Sequence, residues 1–68
     1  MAKKYREVRR ILRRAGWRRV RTEGSHEVWE NRARARTATI PGGGKDSREV
    51  PPGTLASIRR ATGLEELR

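Results

Sequence analysis

A chain of 68 residues with no cysteine has only its apolar side chains with which to close a fold. At this length folding buries about 60% of the unfolded chain's surface, so the chain is limited to one domain of marginal stability. The lone histidine, His26, has no Cys or His companion, which removes a structural zinc site as the other way to staple a small domain. Apolar residues are 32% of the chain and none is Phe. Their spacing is therefore the main guide to what can form.

Tyr5, Val8, Ile11, Leu12 and Ala15 make one stripe of an amphipathic helix, and Arg6, Arg9, Arg10, Arg13 and Arg14 take the opposite arc. The spacing predicts a helix from about Lys4 to Ala15, closed by Gly16 and by Trp17 packing back behind it. Trp17 to Thr22 and His26 to Asn31 read as a hairpin around Glu23-Gly24-Ser25, with Gly24 able to take positive φ. Alternation pairs Glu27 with Trp29 on one strand face and His26 with Val28 on the other. Trp29 is expected to pack toward the helices and His26 to face out, with Glu27 awkwardly placed near the strand's end. Thr37 to Pro41 is a third strand with Ala38 and Ile40 inward, after a polar turn from Asn31 to Arg36.

Gly42-Gly43-Gly44 reads as a flexible linker, lacking the Lys-Ser/Thr of a phosphate-binding loop, and Lys45 to Glu49 as a polar loop without structure of its own. Pro51 and Pro52 start a second helix whose apolar face is Leu55, Ile58, Ala61 and Thr62. Gly63 ends it, Leu64 packs back, and residues 64 to 68 are a fraying tail. The order is α-β-β-β-α. It predicts an α+β sandwich of the double-stranded-RNA-binding-domain kind, two helices on one face of a three-stranded antiparallel sheet, as a single domain over residues 1–68.

The formal net charge is +10, and of the 18 Lys+Arg only Lys3, Lys4 and Lys45 are lysine. Guanidinium groups grip phosphate in a bidentate way and stack on bases, so the charge points to nucleic acid before a membrane or an acidic protein. No stretch approaches the roughly 20 apolar residues of a membrane span, and the first residues lack a signal peptide's apolar region. A soluble, cytoplasmic protein is expected. Histidine is the side chain that both takes and gives protons near neutrality, which singles out His26 on a surface suited to polyanions. Trp17 and Trp29 belong to the core rather than to a base-stacking platform.

Arg14-Ala15-Gly16-Trp17, Gly24-Ser25-His26 with Trp29 after it, Ile40-Pro41, Gly53-Thr54-Leu55 with Ile58, and Gly63-Leu64 together resemble the HicA-type toxins, the YcfA-like mRNA interferases. The likeness spans nearly the whole chain and lies in the order and spacing of the set. It implies a type II toxin–antitoxin toxin of double-stranded-RNA-binding-like fold, ribosome-independent mRNA cleavage, a catalytic histidine at His26 and a cognate HicB-type antitoxin. One departure stands out. Many members carry a second histidine shortly after the proline that ends the third strand, and Gly43 stands at about that place here.

The chemistry is expected to need neither metal nor cofactor, since no cluster of ligand residues is evident in the sequence. His26 is the candidate acid or base. Gly24 lets the backbone approach a phosphate, Ser25 can donate to it, and Arg19, Arg21 and Lys45 are the candidate RNA clamps. Glu23, Glu27, Glu30 and Asp46 are carboxylates that could orient the imidazole, although surface solubility is the expected role of each. An acidic antitoxin would cover Gly24 to His26 and part of the Arg face, competing with RNA. The alternatives are a non-catalytic RNA-binding module of the same fold and, further off, an Arg-rich DNA-binding or ribosome-associated protein.

Overall fold

The first helix, α1 (Tyr5–Arg14), buries Tyr5, Val8 and Leu12 as its stripe requires. Its C-terminus is a Schellman turn: Trp17 N–H donates to the Leu12 carbonyl at 2.9 Å and Gly16 N–H to the Arg13 carbonyl at 3.1 Å, with Gly16 at φ +92. That turn drives Trp17 into the core and launches the first strand. At the other end Glu7 accepts from the Lys4 N–H at 3.0 Å. This bond holds the Glu7 carboxyl below its ordinary 4.5. The computed structural model describes residues 3–41 and 45–68; the expected glycine linker at 42–44, Gly43 included, lies outside the described residues.

Three strands follow, β1 (Arg18–Glu23), β2 (His26–Asn31) and β3 (Arg36–Ile40), forming one antiparallel sheet in that order. The β1–β2 loop is only Gly24 and Ser25, with Glu23 opposite His26. Gly24 sits at φ +59, the residue type a two-residue hairpin requires where φ turns positive. Between β2 and β3 a 3₁₀ turn (Arg32–Arg34) is capped by the Asn31 side chain, which accepts from Arg34 N–H and donates to the Ala15 carbonyl. The second helix, α2 (Pro52–Thr62), begins at the proline pair and ends at Gly63, φ +73, whose N–H donates to the Arg59 carbonyl at 2.7 Å.

Both helices lie on one face of the sheet. Glu27, Trp29, Asn31, Ala38 and Ile40 point under them and are buried, while β1 is exposed at every position. Trp17, Trp29, Leu12, Val8, Ile40 and Ile58 are fully buried, each large apolar side chain contributing about 1.5–3 kcal/mol by leaving water. The expected α-β-β-β-α sandwich is thus observed, with strand and helix ends within a residue or so of the pattern.

Two segments differ from the sequence reading. Residues 64–68 do not fray: Leu67 is fully buried, and Arg59 donates to its carbonyl. An isolated leucine after a helix gives no periodicity from which its burial could be read. Lys45 to Glu49 is not a loop without structure either. The carbonyls of Arg48 and Asp46 accept from Tyr5 and Arg6 N–H at 2.9 and 3.2 Å, Val50 N–H donates to Lys3, and Glu49 bridges to Lys4. These bonds satisfy amides that the first turn of any helix leaves without partners.

Candidate functional site

His26 is the first residue of β2 and its side chain belongs to the outer face, away from the helices. It is exposed. Among the described residues no hydrogen bond or ion pair reaches its imidazole, and each carboxylate considered as its orienter is engaged elsewhere. Glu23 accepts from Arg21 at 2.7 Å, Glu30 lies 3.6 Å from Arg32, and Asp46 and Glu27 both pair with Arg9. What fixes His26 is therefore the backbone on which it sits.

That backbone is anchored from beneath by Glu27. The pleat turns its carboxylate inward, where it is 5% exposed and receives two hydrogen bonds from Arg9, at 3.1 Å from Nε and 2.6 Å from Nη2. Trp29 Nε1 donates to the same carboxylate at 3.1 Å, and Arg19 stands 3.6 Å away. Arg9 uses its remaining arm on the Asp46 carboxylate and lies 5.5 Å from the Tyr5 ring centroid. One guanidinium thus joins α1, β2 and the segment that follows residues 42–44. Burial pushes the Glu27 carboxyl up, but the bonds from Arg9 and Trp29 and the charges of Arg9 and Arg19 outweigh it. Its pKa lies below 4.5. The bond to Glu27 likewise raises Arg9 above its ordinary value.

These contacts correct two sequence expectations. The spacing sets Arg9 on the arc of α1 opposite the apolar stripe and Glu27 near its strand's end, yet the pair forms the polar centre of the core. The signal was present in the alternation that put Glu27 beside Trp29, since a carboxylate facing inward requires a cation. Asp46 was missed for a different reason, because it is brought in by backbone bonds that leave no pattern.

Among the RNA-clamp candidates, Gly24 and Ser25 adjoin His26 in the exposed hairpin turn. Arg21 is opposite Val28 and shares the outer face with His26, whereas Arg19 is opposite Trp29 and faces inward. Lys45 is exposed and follows β3, whose last residue, Ile40, pairs with Glu27 near the same end of the sheet. The structure therefore groups Gly24, Ser25, Arg21 and His26 and sets Arg19 on the other side. Among the described residues, no three His, Cys, Asp or Glu are grouped so as to hold a metal ion, and no helix is long and apolar enough to cross a membrane. A cleft of about 570 Å³ lies elsewhere, lined by Val50, Pro51, Pro52 and Leu55 among others.

A family model described as the HicA toxin of bacterial toxin–antitoxin systems matches residues 5–64. The chain belongs to the HicA toxin family. A comparison with curated proteins finds no match. Membership makes this chain the toxin member of a toxin–antitoxin pair, with an antitoxin as its partner. The match takes in α1, the whole sheet and α2, so His26, Arg9, Glu27 and Asp46 all fall within the HicA region.

Proposed function

We propose that this HicA-family toxin is an mRNA interferase that cuts RNA without a metal and uses His26 for proton transfer. The observation that carries the reading is an exposed imidazole, without a hydrogen-bond or ion-pair partner among the described residues, beside a glycine-serine turn on a chain of net charge +10. His26 takes the proton of a ribose 2′-OH as that oxygen attacks the adjacent phosphorus. The P–O5′ bond breaks, and the departing oxygen takes a proton from water. The products are a 2′,3′-cyclic phosphate and a 5′-hydroxyl. In this reading Arg21 and the Gly24–Ser25 backbone hold the phosphoryl oxygens, and Lys45 and Arg19 attract the strand.

The test is His26→Ala with purified protein in EDTA. Loss of a positioned acid or base lowers cleavage by about 10²–10⁴-fold, while RNA affinity, made of many phosphate contacts, is kept. An alanine variant that cuts at the parent rate, or products with 5′-phosphates, would refute the assignment. That no described residue is bonded to His26 also favours a second reading, a non-cutting RNA-binding module, which growth inhibition indifferent to His26 would select.

The partner we infer is an acidic HicB-type antitoxin seated over Gly24 to His26, acting with the toxin in the cytoplasm. Charge complementarity speeds its capture, and covering the imidazole makes inhibition complete. A hydrogen-exchange footprint of the complex checks this: protection is expected at residues 24–26, and an open turn with RNA still cleaved would overturn it.

A further inference from the structure

β1 is the one strand of the sheet that neither helix covers, and this leaves a corner on the helix side of the molecule. Contacts running from Arg9 to Glu27, from Arg13 to Trp29 and from Ala15 to Asn31 lay α1 lengthwise over β2. Ile11 and Ala15, on one flank of α1, pack against the core; the opposite flank carries Arg6 and Arg13, with Arg10 next to them at the solvent crest of the helix. Arg13 is exposed, and its guanidinium rests 5.4 Å from the ring centroid of Trp29. Opposite Trp29 and Glu27 in the neighbouring strand stand Arg19 and Thr22, both exposed. The α1 flank is thus a wall and the inner side of β1 a floor.

We infer that this corner is the groove in which the RNA backbone runs, on the opposite side of the sheet from His26. Arg6, Arg10 and Arg13 have no ion-pair partner among the described residues, although i,i+3 and i,i+4 spacing puts like charges side by side on a helix. The carboxylates nearest the wall are already engaged: Glu27 by Arg9 and Trp29, Asp46 by Arg9, and Glu7 by the Lys4 N–H. A row of guanidiniums without ion-pair partners among the described residues, beside carboxylates that are engaged elsewhere, suits a polyanion of regularly spaced phosphates. A single strand is favoured over a folded acidic protein by what lies at the groove's end. There the chain turns at Gly24 and Ser25, and a Cβ placed on Gly24 would meet nothing within 4 Å. A flexible strand can round that low rim and present a ribose to His26 on the other face.

The inference rests on RNA being the substrate but not on His26 being catalytic, so it is tested by binding alone. A single-stranded RNA 12-mer is titrated against His26→Ala protein at several salt concentrations, with and without Arg6→Gln/Arg10→Gln. These two side chains are exposed and outside the core. A matched control removes the same charge elsewhere, with Arg34→Gln/Arg60→Gln. Each lost phosphate contact on a single strand lowers the salt slope by about 0.7, so the corner pair is expected to reduce it by about 1.4 and the control to leave it unchanged. Adding Arg13→Gln should take off about 0.7 more; circular dichroism checks that the uncovered Trp29 has not unfolded the chain. Equal slopes for the corner pair and the control would overturn the groove, as would a corner pair that binds like the parent. Cleavage lost in His26→Ala but unaffected by corner occupancy would leave the proposed chemistry standing and the groove refuted.

Discussion

His26 and Glu27 are consecutive in β2, and the pleat sends them to opposite sides of the sheet. Glu27 is nearly buried and is held by Arg9 and Trp29, with Arg19 close by. His26 is exposed, with no side-chain partner among the described residues. The inner face concentrates its connections at the residue next to the one left free. The proposed proton transfer by His26 needs a group set on a rigid element with its own nitrogens available, and this division suits both conditions.

The comparison implies that substitutions on the inner side cost stability and those on the outer side cost function. The largest stability effect is expected for Arg9→Met, which leaves the Glu27 carboxylate buried without its cation. Removing one member of such a pair costs about 3–5 kcal/mol, close to the whole stability of a single-core domain of this size, about 3–5 kcal/mol. Thermal unfolding by circular dichroism should find the variant largely unfolded at 25 °C, and Arg9→Met/Glu27→Leu should recover much of the loss. An Arg9→Met protein as stable as the parent would break the comparison.

Acid should produce a smaller and graded loss. The folded pKa of Glu27 lies below 4.5, so its stabilisation is complete above that value and disappears as pH falls through the folded pKa. Glu7 adds in the same direction. Urea midpoints should hold from about pH 7 to 5 and then fall, with a shallower fall in Arg9→Met/Glu27→Leu. A flat profile down to pH 3 would remove Glu27 from its assigned role.

Gly24→Ala is expected to cost about 1 kcal/mol, the penalty of placing a Cβ at positive φ, since the space around that Cβ is open. The smallest stability effect is at His26 itself: His26→Ala should stay within about 0.5 kcal/mol of the parent. A drop well beyond that would mean the imidazole has a structural partner after all.

Much of this arrangement is legible in the residues. The stripe from Tyr5 to Leu12, the glycine closures at Gly16 and Gly63 and the hairpin turn are local patterns, and the structure places all of them where local physics puts them. The outward side of His26 follows from Trp29 needing the core. What is not legible is long-range. Five arginines recur in α1 at Arg6, Arg9, Arg10, Arg13 and Arg14, and only the approach of β2 makes Arg9 differ from the rest. Residues 45–50 are polar and unpatterned, because their role is carried by backbone groups that every residue has.

The strap from Asp46 to Val50 bears on the order in which the molecule comes apart. The opening turn of α1 donates hydrogen bonds to a segment some forty positions later, so neither can be intact while the other is open. Tyr5, Arg6 and Val50 amides should then lose hydrogen-exchange protection together and ahead of the interior of the sheet, as one cooperative unit. Arg9 straddles the boundary of that unit through its bond to Asp46. A partner that grips this strap would slow its opening, and the exchange rates of three amides at the start of α1 and the end of the strap would report contact made at a distance from them.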